Sequence, residues 1–223
     1  MIVAVCGLHG GAGTTTIAVL LAQAAARQRP HRVLLCDAAP GAGDLAYTYG
    51  SASASDLNAL AIIGAEGRTP SETPWLDLVD GVRLLARAAA PRPAASAAVI
   101  ATALLDAGTV HELVVIDAGS LTSPAAAAAL PIADLVIWTL DAGALLQRCA
   151  HLLAGPHSTT ARHAPWLLAI SAIGRQAHPT VAAPLADIVP SAARQVLLPH
   201  LAELGAQDLA HQLAGEQLLG ALT

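Results

Sequence analysis

A doubly wound α/β fold, a mostly parallel sheet with helices on both faces, is the class this sequence predicts, and three observations carry it. Short apolar runs alternate with longer, alanine-rich stretches of helical spacing. The runs are apolar at nearly every position rather than at every second one, which marks strands covered on both faces. Directly after the first run comes a glycine-rich turn, Gly7-Leu-His-Gly-Gly-Ala-Gly-Thr-Thr15, at the place where an open parallel sheet presents its ligand-binding edge.

The elements follow in order. Residues 2–6 (IVAVC) read as the first strand, 14–28 as the first helix and 33–36, closed by Asp37, as the second strand. Further strands are expected at 82–85, 113–116 closed by Asp117, 135–138, 166–170 and 196–198. Helices are expected at about 94–105, 123–130, 142–153, 181–188 and 208–222. Residues 64–74 (GAEGRTPSETP) are the best internal loop, and Pro91-Arg-Pro93 breaks the chain before a helix. Neither has the length of a linker, so the 223 residues are expected to form one domain, 1–223.

At 55 % hydrophobic and 12 % charged, the chain has ample core but few charges for its surface, so some exposed face is expected to be apolar. Much of the apolar share is alanine, which lets helices pack closely while each residue buries little area. The formal charge is −5, and all 11 basic residues are arginine; the chain has no lysine. Scattered arginines outnumbered by 16 acids give no strong nucleic-acid signal. Cys6, Cys36 and Cys149 lack metal-ligand spacing, and the first two fall in strand runs, as small buried hydrophobes do in a reduced, cytoplasmic protein. No uncharged apolar stretch reaches the roughly twenty residues that span a bilayer, because residues 9–16 interrupt the first candidate. His151, His157 and His163 recur every six residues around an expected loop, a spacing that does not place them on one helical face and gives little support to metal binding. Leu209, Leu213, Leu218 and Leu219 form an apolar stripe with no lysine or arginine to attract a headgroup, so packing against the sheet or a partner is expected.

The glycine-rich turn has the composition of a phosphate cradle. Its glycines allow positive φ and close backbone approach, and the helix that follows offers free N–H groups and a partial positive charge to an anion. Such a turn by itself also serves tight strand-to-helix packing, and Asp37 and Asp117 equally suit turn caps. The strand before it, the helix after it and an aspartate closing each of two other strands together favour the phosphate reading. Where a phosphate loop ends in Gly-Lys-[Ser/Thr], this one reads Gly13-Thr14-Thr15, with Thr14 at the lysine position and Thr15 at the hydroxyl that binds Mg²⁺.

On these residues the sequence resembles the ParA/MinD family of P-loop ATPases, whose deviant loop runs Lys-Gly-Gly-x-Gly-Lys-[Ser/Thr]. Here the loop is His9-Gly10-Gly11-Ala12-Gly13-Thr14-Thr15, followed by Thr16. The resemblance implies that these residues bind nucleotide phosphates and that Thr15 and Asp117 hold Mg²⁺, with ATP or ADP as the cofactor. It also implies that Asp37, Asp117 and Gly119 form the Walker B and switch positions, Gly119 lying in the γ-phosphate-sensing turn. Four departures qualify the likeness. The loop lysine is Thr14, whose hydroxyl provides no permanent positive charge for the β- and γ-phosphate oxygens. The signature lysine, which in the family reaches a neighbouring subunit's nucleotide, is His9, charged only when protonated. The family's Asp-x-Asp is Asp37-Ala38-Ala39, without the carboxylate that helps position the attacking water. Ser171 takes the place of a base-reading asparagine.

Gly43-Asp44-Leu45-Ala46 and Ser55-Asp56-Leu57 are similar to the CpaE/TadZ branch, which helps place pilus-assembly and secretion machinery at the cell pole. The resemblance therefore implies a pseudo-ATPase: a homodimeric, partner-binding localisation or assembly factor for pilus or secretion machinery. It would be cytoplasmic and recruited to the pole or inner membrane face through its partners, with nucleotide and Mg²⁺ bound weakly or not at all and no catalytic residue assigned. The alternative is an active Mg²⁺-dependent ATPase, a dimerisation switch with a septum-site or chromosome-partition role.

Overall fold

The structure, a computed structural model, describes residues 1–39, 45, 76–77, 81–85, 97–141, 146–155, 164–171, 194–198 and 209–222. Strand β1 (Ile2–Gly7) leads into α1 (Thr14–Gln28) and β2 (Val33–Asp37). A short β3 (Leu76–Asp77) precedes β4 (Val82–Leu85), α2 (Ala97–Val110), β5 (Leu113–Ser120) and α3 (Pro124–Ala129). The chain continues through β6 (Leu135–Asp141), α4 (Leu146–Ala154), β7 (Trp166–Ser171), β8 (Arg194–Leu198) and α5 (Leu209–Gly220).

Among the described residues the strands make one eight-stranded sheet in the order β3-β4-β2-β5-β1-β6-β7-β8. Seven strands run parallel, and β3 alone is antiparallel, against β4. The doubly wound class expected from the apolar runs is the one observed. All seven expected runs are strands; β3 was missed because two residues carry no periodicity.

Alternation along each strand sends side chains to two cores. Val3, Val5, Leu35, Val115 and Ile137 meet α1 and α5 on one face. Ala4, Cys6, Cys36, Ile116 and Trp138 meet α2, α3 and α4 on the other. Each fully buried leucine or isoleucine in these layers contributes about 1.5–3 kcal/mol of apolar transfer energy. Small side chains bring the helices close. A methyl group at Gly215 of α5 would lie 2.7 Å from the Leu20 carbonyl oxygen of α1, so glycine is what lets the two helices touch.

Several details refine the sequence reading. Helix α2, described from Ala97, runs on to Val110, past the expected end, because Ala107 joins Ala103 and Leu104 in the core. Helix α3 is capped by Ser123, whose hydroxyl donates to the Ala118 carbonyl at 2.6 Å and accepts the Ala126 N–H at 2.9 Å. The expected helix at 181–188 and the expected loop at 64–74 lie outside the described residues. On α2, Val99 and Leu105 are 43 % and 48 % exposed, though six residues apart they do not share one face of the helix. In α5, Leu218 is buried and Leu219 packs against the same core, while Leu213 faces out. None of the described helices is long and apolar enough to cross a membrane.

Candidate functional site

Strands β1, β2, β5 and β6 end along one edge of the sheet. Strand β5 lies between β1 and β2; the connection from β1 runs through α1 toward β2 on one side, while those from β5 and β6 run toward the other, so the strand order switches at β1, where open parallel sheets bind ligands. Parallel register aligns Asp37 with Asp117, Val5 with Asp117, and Gly7 with both Ser120 and Thr139. The sequence-predicted positions His9, Gly10, Gly11, Ala12, Gly13, Thr14, Thr15, Thr16, Asp37, Asp117 and Gly119 therefore share one edge.

The loop between β1 and α1 folds as its glycines allow. Gly11 and Gly13 have φ of 77° and 78°, a left-handed conformation that L side chains rarely adopt. Gly13 is the residue before α1, and the helix start has no side-chain cap and no acidic residue in its first turn. The amides of Thr14, Thr15 and Thr16 thus open the helix with its positive dipole end unscreened by any side chain of that turn. A Cβ at Gly10 or Gly11 would meet nothing within 4 Å, so the loop crest is open, while Ala12 is buried beneath it. His9 is half-buried, and its Nδ1–H donates to the carbonyl of the adjacent Gly10 at 2.9 Å.

Two hydroxyls at the helix start point to different strands. Thr15 donates to Asp117 Oδ2 at 2.5 Å, and the other carboxylate oxygen accepts the Gly119 N–H at 3.1 Å, with Gly119 at φ 67°. Thr14 Oγ1 lies 3.1 Å from Thr139 Oγ1 on β6. The Thr14 hydroxyl sits over Gly7, where a Cβ would come within 2.6 Å of it. Main-chain bonds knit the edge: Leu8 N–H to Thr139 O at 3.0 Å, Leu121 N–H to Gly7 O at 2.9 Å, and Ala38 N–H to Asp117 O at 3.1 Å.

Asp37 and Asp117 are both buried. The thiols nearest them are inert. Burial, then the Asp117 charge, pushes Cys6 up to about 12; burial, then Asp37 and Asp117, pushes Cys36 well above its ordinary value. Ala39 follows Asp37 with no side-chain donor or acceptor, and Ser171 ends β7. Thr139 is the site residue that sequence reading passed over, since the expected strand stopped one residue short of it. Its signal was a polar side chain inside an apolar run, with buried Leu140 after it and Asp141 closing the strand.

These residues fit a phosphate chain through amides and helix dipole, and the Thr15–Asp117 pair fits a magnesium ion. Among the side chains described at this edge, none carries a fixed positive charge. Residues 3–168 match the model of the CobQ/CobB/MinD/ParA nucleotide binding domain. The chain belongs to this family. Over 55 residues it is 46 % identical to the ESX-1 secretion-associated protein EspI of Mycobacterium tuberculosis, a match covering 25 % of this chain and 8 % of EspI. The chain thus spans a small part of that curated relative's length. It shares its fold with a plasmid partition protein from Borrelia burgdorferi bound to AMPPNP, at 18 % identity and TM-score 0.72, over 99 % of this chain and 97 % of that one. It also shares it with the MinC:MinD cell division protein complex of Aquifex aeolicus, at 17 % identity and TM-score 0.73, over 99 % of this chain and 95 % of that one. The P-loop ParA/MinD class expected from the loop is the class found.

Proposed function

We propose that this CobQ/CobB/MinD/ParA-family chain, a single domain, is a partner-binding localisation or assembly factor for secretion or pilus machinery. It holds nucleotide weakly and hydrolyses it weakly or not at all. Thr14 carries the reading: at the lysine position of the loop stands a neutral hydroxyl turned onto Thr139. A polyphosphate brought here meets main-chain amides and buried carboxylates, with no resident cation among the described side chains to balance its terminal oxygens.

In this reading the amides of Gly10, Gly11, Ala12, Gly13, Thr14, Thr15 and Thr16 take the phosphate oxygens, His9 stands at the rim, and Thr15 with Asp117 holds Mg²⁺. Asp37 and Gly119 flank that pair. The ion, when bound, supplies the neutralising charge on the phosphates. Ala39 removes a carboxylate that would orient water, so binding outlasts hydrolysis. The chain acts as a cytoplasmic homodimer drawn to the pole or inner membrane face by its partners. The EspI likeness supports the secretion half of the proposal, and the Gly43-Asp44-Leu45 and Ser55-Asp56-Leu57 segments support the polar-localisation half.

An active dimerisation switch with a partition or septum role is the second reading. The intact Thr15–Asp117 pair and the Gly119 turn favour it. Equilibrium binding of ATP with and without Mg²⁺, together with turnover, separates the two. Weak Mg²⁺-dependent binding with negligible turnover is expected; micromolar affinity and turnover that vanishes in Asp117→Ala would establish the switch.

A further inference from the structure

We infer that Thr139 is a positioning residue of the phosphate loop: with Thr14 it forms a hydroxyl clasp that sets the loop in its anion-receptive shape before any ligand arrives. The inference rests on the phosphate-binding reading of the loop. Thr139 holds both ends of it. Its main-chain oxygen accepts the N–H of Leu8, where the loop begins, at 3.0 Å, and its Oγ1 lies 3.1 Å from that of Thr14, where α1 begins.

Burial makes the clasp specific. Thr139 is wholly inaccessible, in a strand whose neighbours Trp138 and Leu140 are equally buried. A hydroxyl in such a place is costly without a partner, and the structure shows Thr14 as that partner. Parallel register sets Thr139 beside Gly7, and the absence of a side chain at Gly7 makes the room, since a Cβ there would lie 2.6 Å from the Thr14 hydroxyl. Both clasp residues are β-branched, so little rotamer freedom is lost in closing it. The tie carries no charge, which leaves amides and Mg²⁺ as the loop's means of holding an anion.

Thr139→Val keeps the shape and removes the hydroxyl, whereas Thr139→Ser keeps the hydroxyl. Hydrogen exchange at residues 8–16 of the nucleotide-free full chain is expected to quicken severalfold in Thr139→Val and to stay near wild type in Thr139→Ser. Thr14→Val, at a half-buried position, probes the same bond even where Thr139→Val fails to fold. The double variant should exchange no faster than either single one, because both remove one interaction. With AMPPNP and Mg²⁺ as probe, affinity should fall about fivefold in Thr139→Val, the scale of one neutral hydrogen bond, and change by less than about twofold in Thr139→Ser. Unchanged loop exchange in both valine variants, or fully additive effects in the double variant, overturns the clasp. Wild-type protein that binds no AMPPNP defeats the phosphate-binding reading instead, and the exchange comparison still decides the clasp.

Discussion

At the edge of the sheet where its strands begin, arginine meets carboxylate in open solvent; at the edge where they end, hydroxyl meets carboxylate under cover. Arg29 and Arg32 close on the two oxygens of Glu112 at 2.7 and 3.0 Å, and the Met1 ammonium donates to the Glu112 carbonyl at 3.0 Å. Exposed pairs of this kind contribute little to stability. Across the sheet, Thr15 reaches buried Asp117 and Thr14 reaches buried Thr139, with no fixed cation among the described side chains. Among the described residues, Arg29 and Arg32 lie where water screens them, and no arginine lies at the phosphate-loop edge. In the proposed reading, electrostatics at that edge therefore falls to amides, a helix dipole and a divalent ion.

Disrupting the covered edge should have the largest effect. Asp117→Ala removes the acceptor of both the Thr15 hydroxyl and the Gly119 amide. In calorimetric titrations with AMPPNP it should abolish the gain in affinity that Mg²⁺ confers, and leave hydrogen exchange around Glu112 unaltered. A Mg²⁺ effect that survives the substitution means the ion is held elsewhere.

His111 sharpens the contrast from the other edge. Its Nδ1–H donates to the Ala107 carbonyl at 3.0 Å, and burial, opposed by that bond and aided by Arg83 and Arg32, holds it below its ordinary value of 6.5. The folded state thus prefers neutral imidazole. The stability it contributes is present above the ordinary value and is lost as pH falls through it toward the folded value. Urea midpoints should decline from about pH 7 to about pH 5 and decline less in His111→Gln, with AMPPNP affinity untouched in that variant.

Glu112→Gln should do least. Hydrogen bonds from Arg29, then Arg32, hold the carboxyl below its ordinary range, so the pair stabilises above that range and fades as acid protonates it. Both arginines are well exposed, and the urea midpoint at neutral pH should scarcely move. A large loss there would show that the open edge fastens the fold.

Sequence alone revealed the strands, since apolar runs such as Val33-Leu-Leu-Cys36 declare burial on both faces. It also picked out Gly11, Gly13, Thr15 and Asp117, which the structure brings to one edge, because a glycine-rich turn is local in the chain and the aspartate closing an apolar run is visible. The Thr14–Thr139 contact was not legible: its residues are 125 apart, and only the placing of β6 beside β1 brings them together. The full length of α2 was hidden for a related reason. Gly108 and Thr109 discourage a helix locally, and the burial of Ala107 against the core overrides them.

The most direct test is to return a cation to the loop. Thr14→Lys gives up the hydroxyl clasp but restores one charge-assisted contact to the terminal phosphates. AMPPNP affinity, measured by calorimetry at fixed Mg²⁺, should rise about tenfold or more over a weakly binding wild type. A wild type that already binds tightly, with no gain from the lysine, would contradict the claim that a missing fixed charge limits this site.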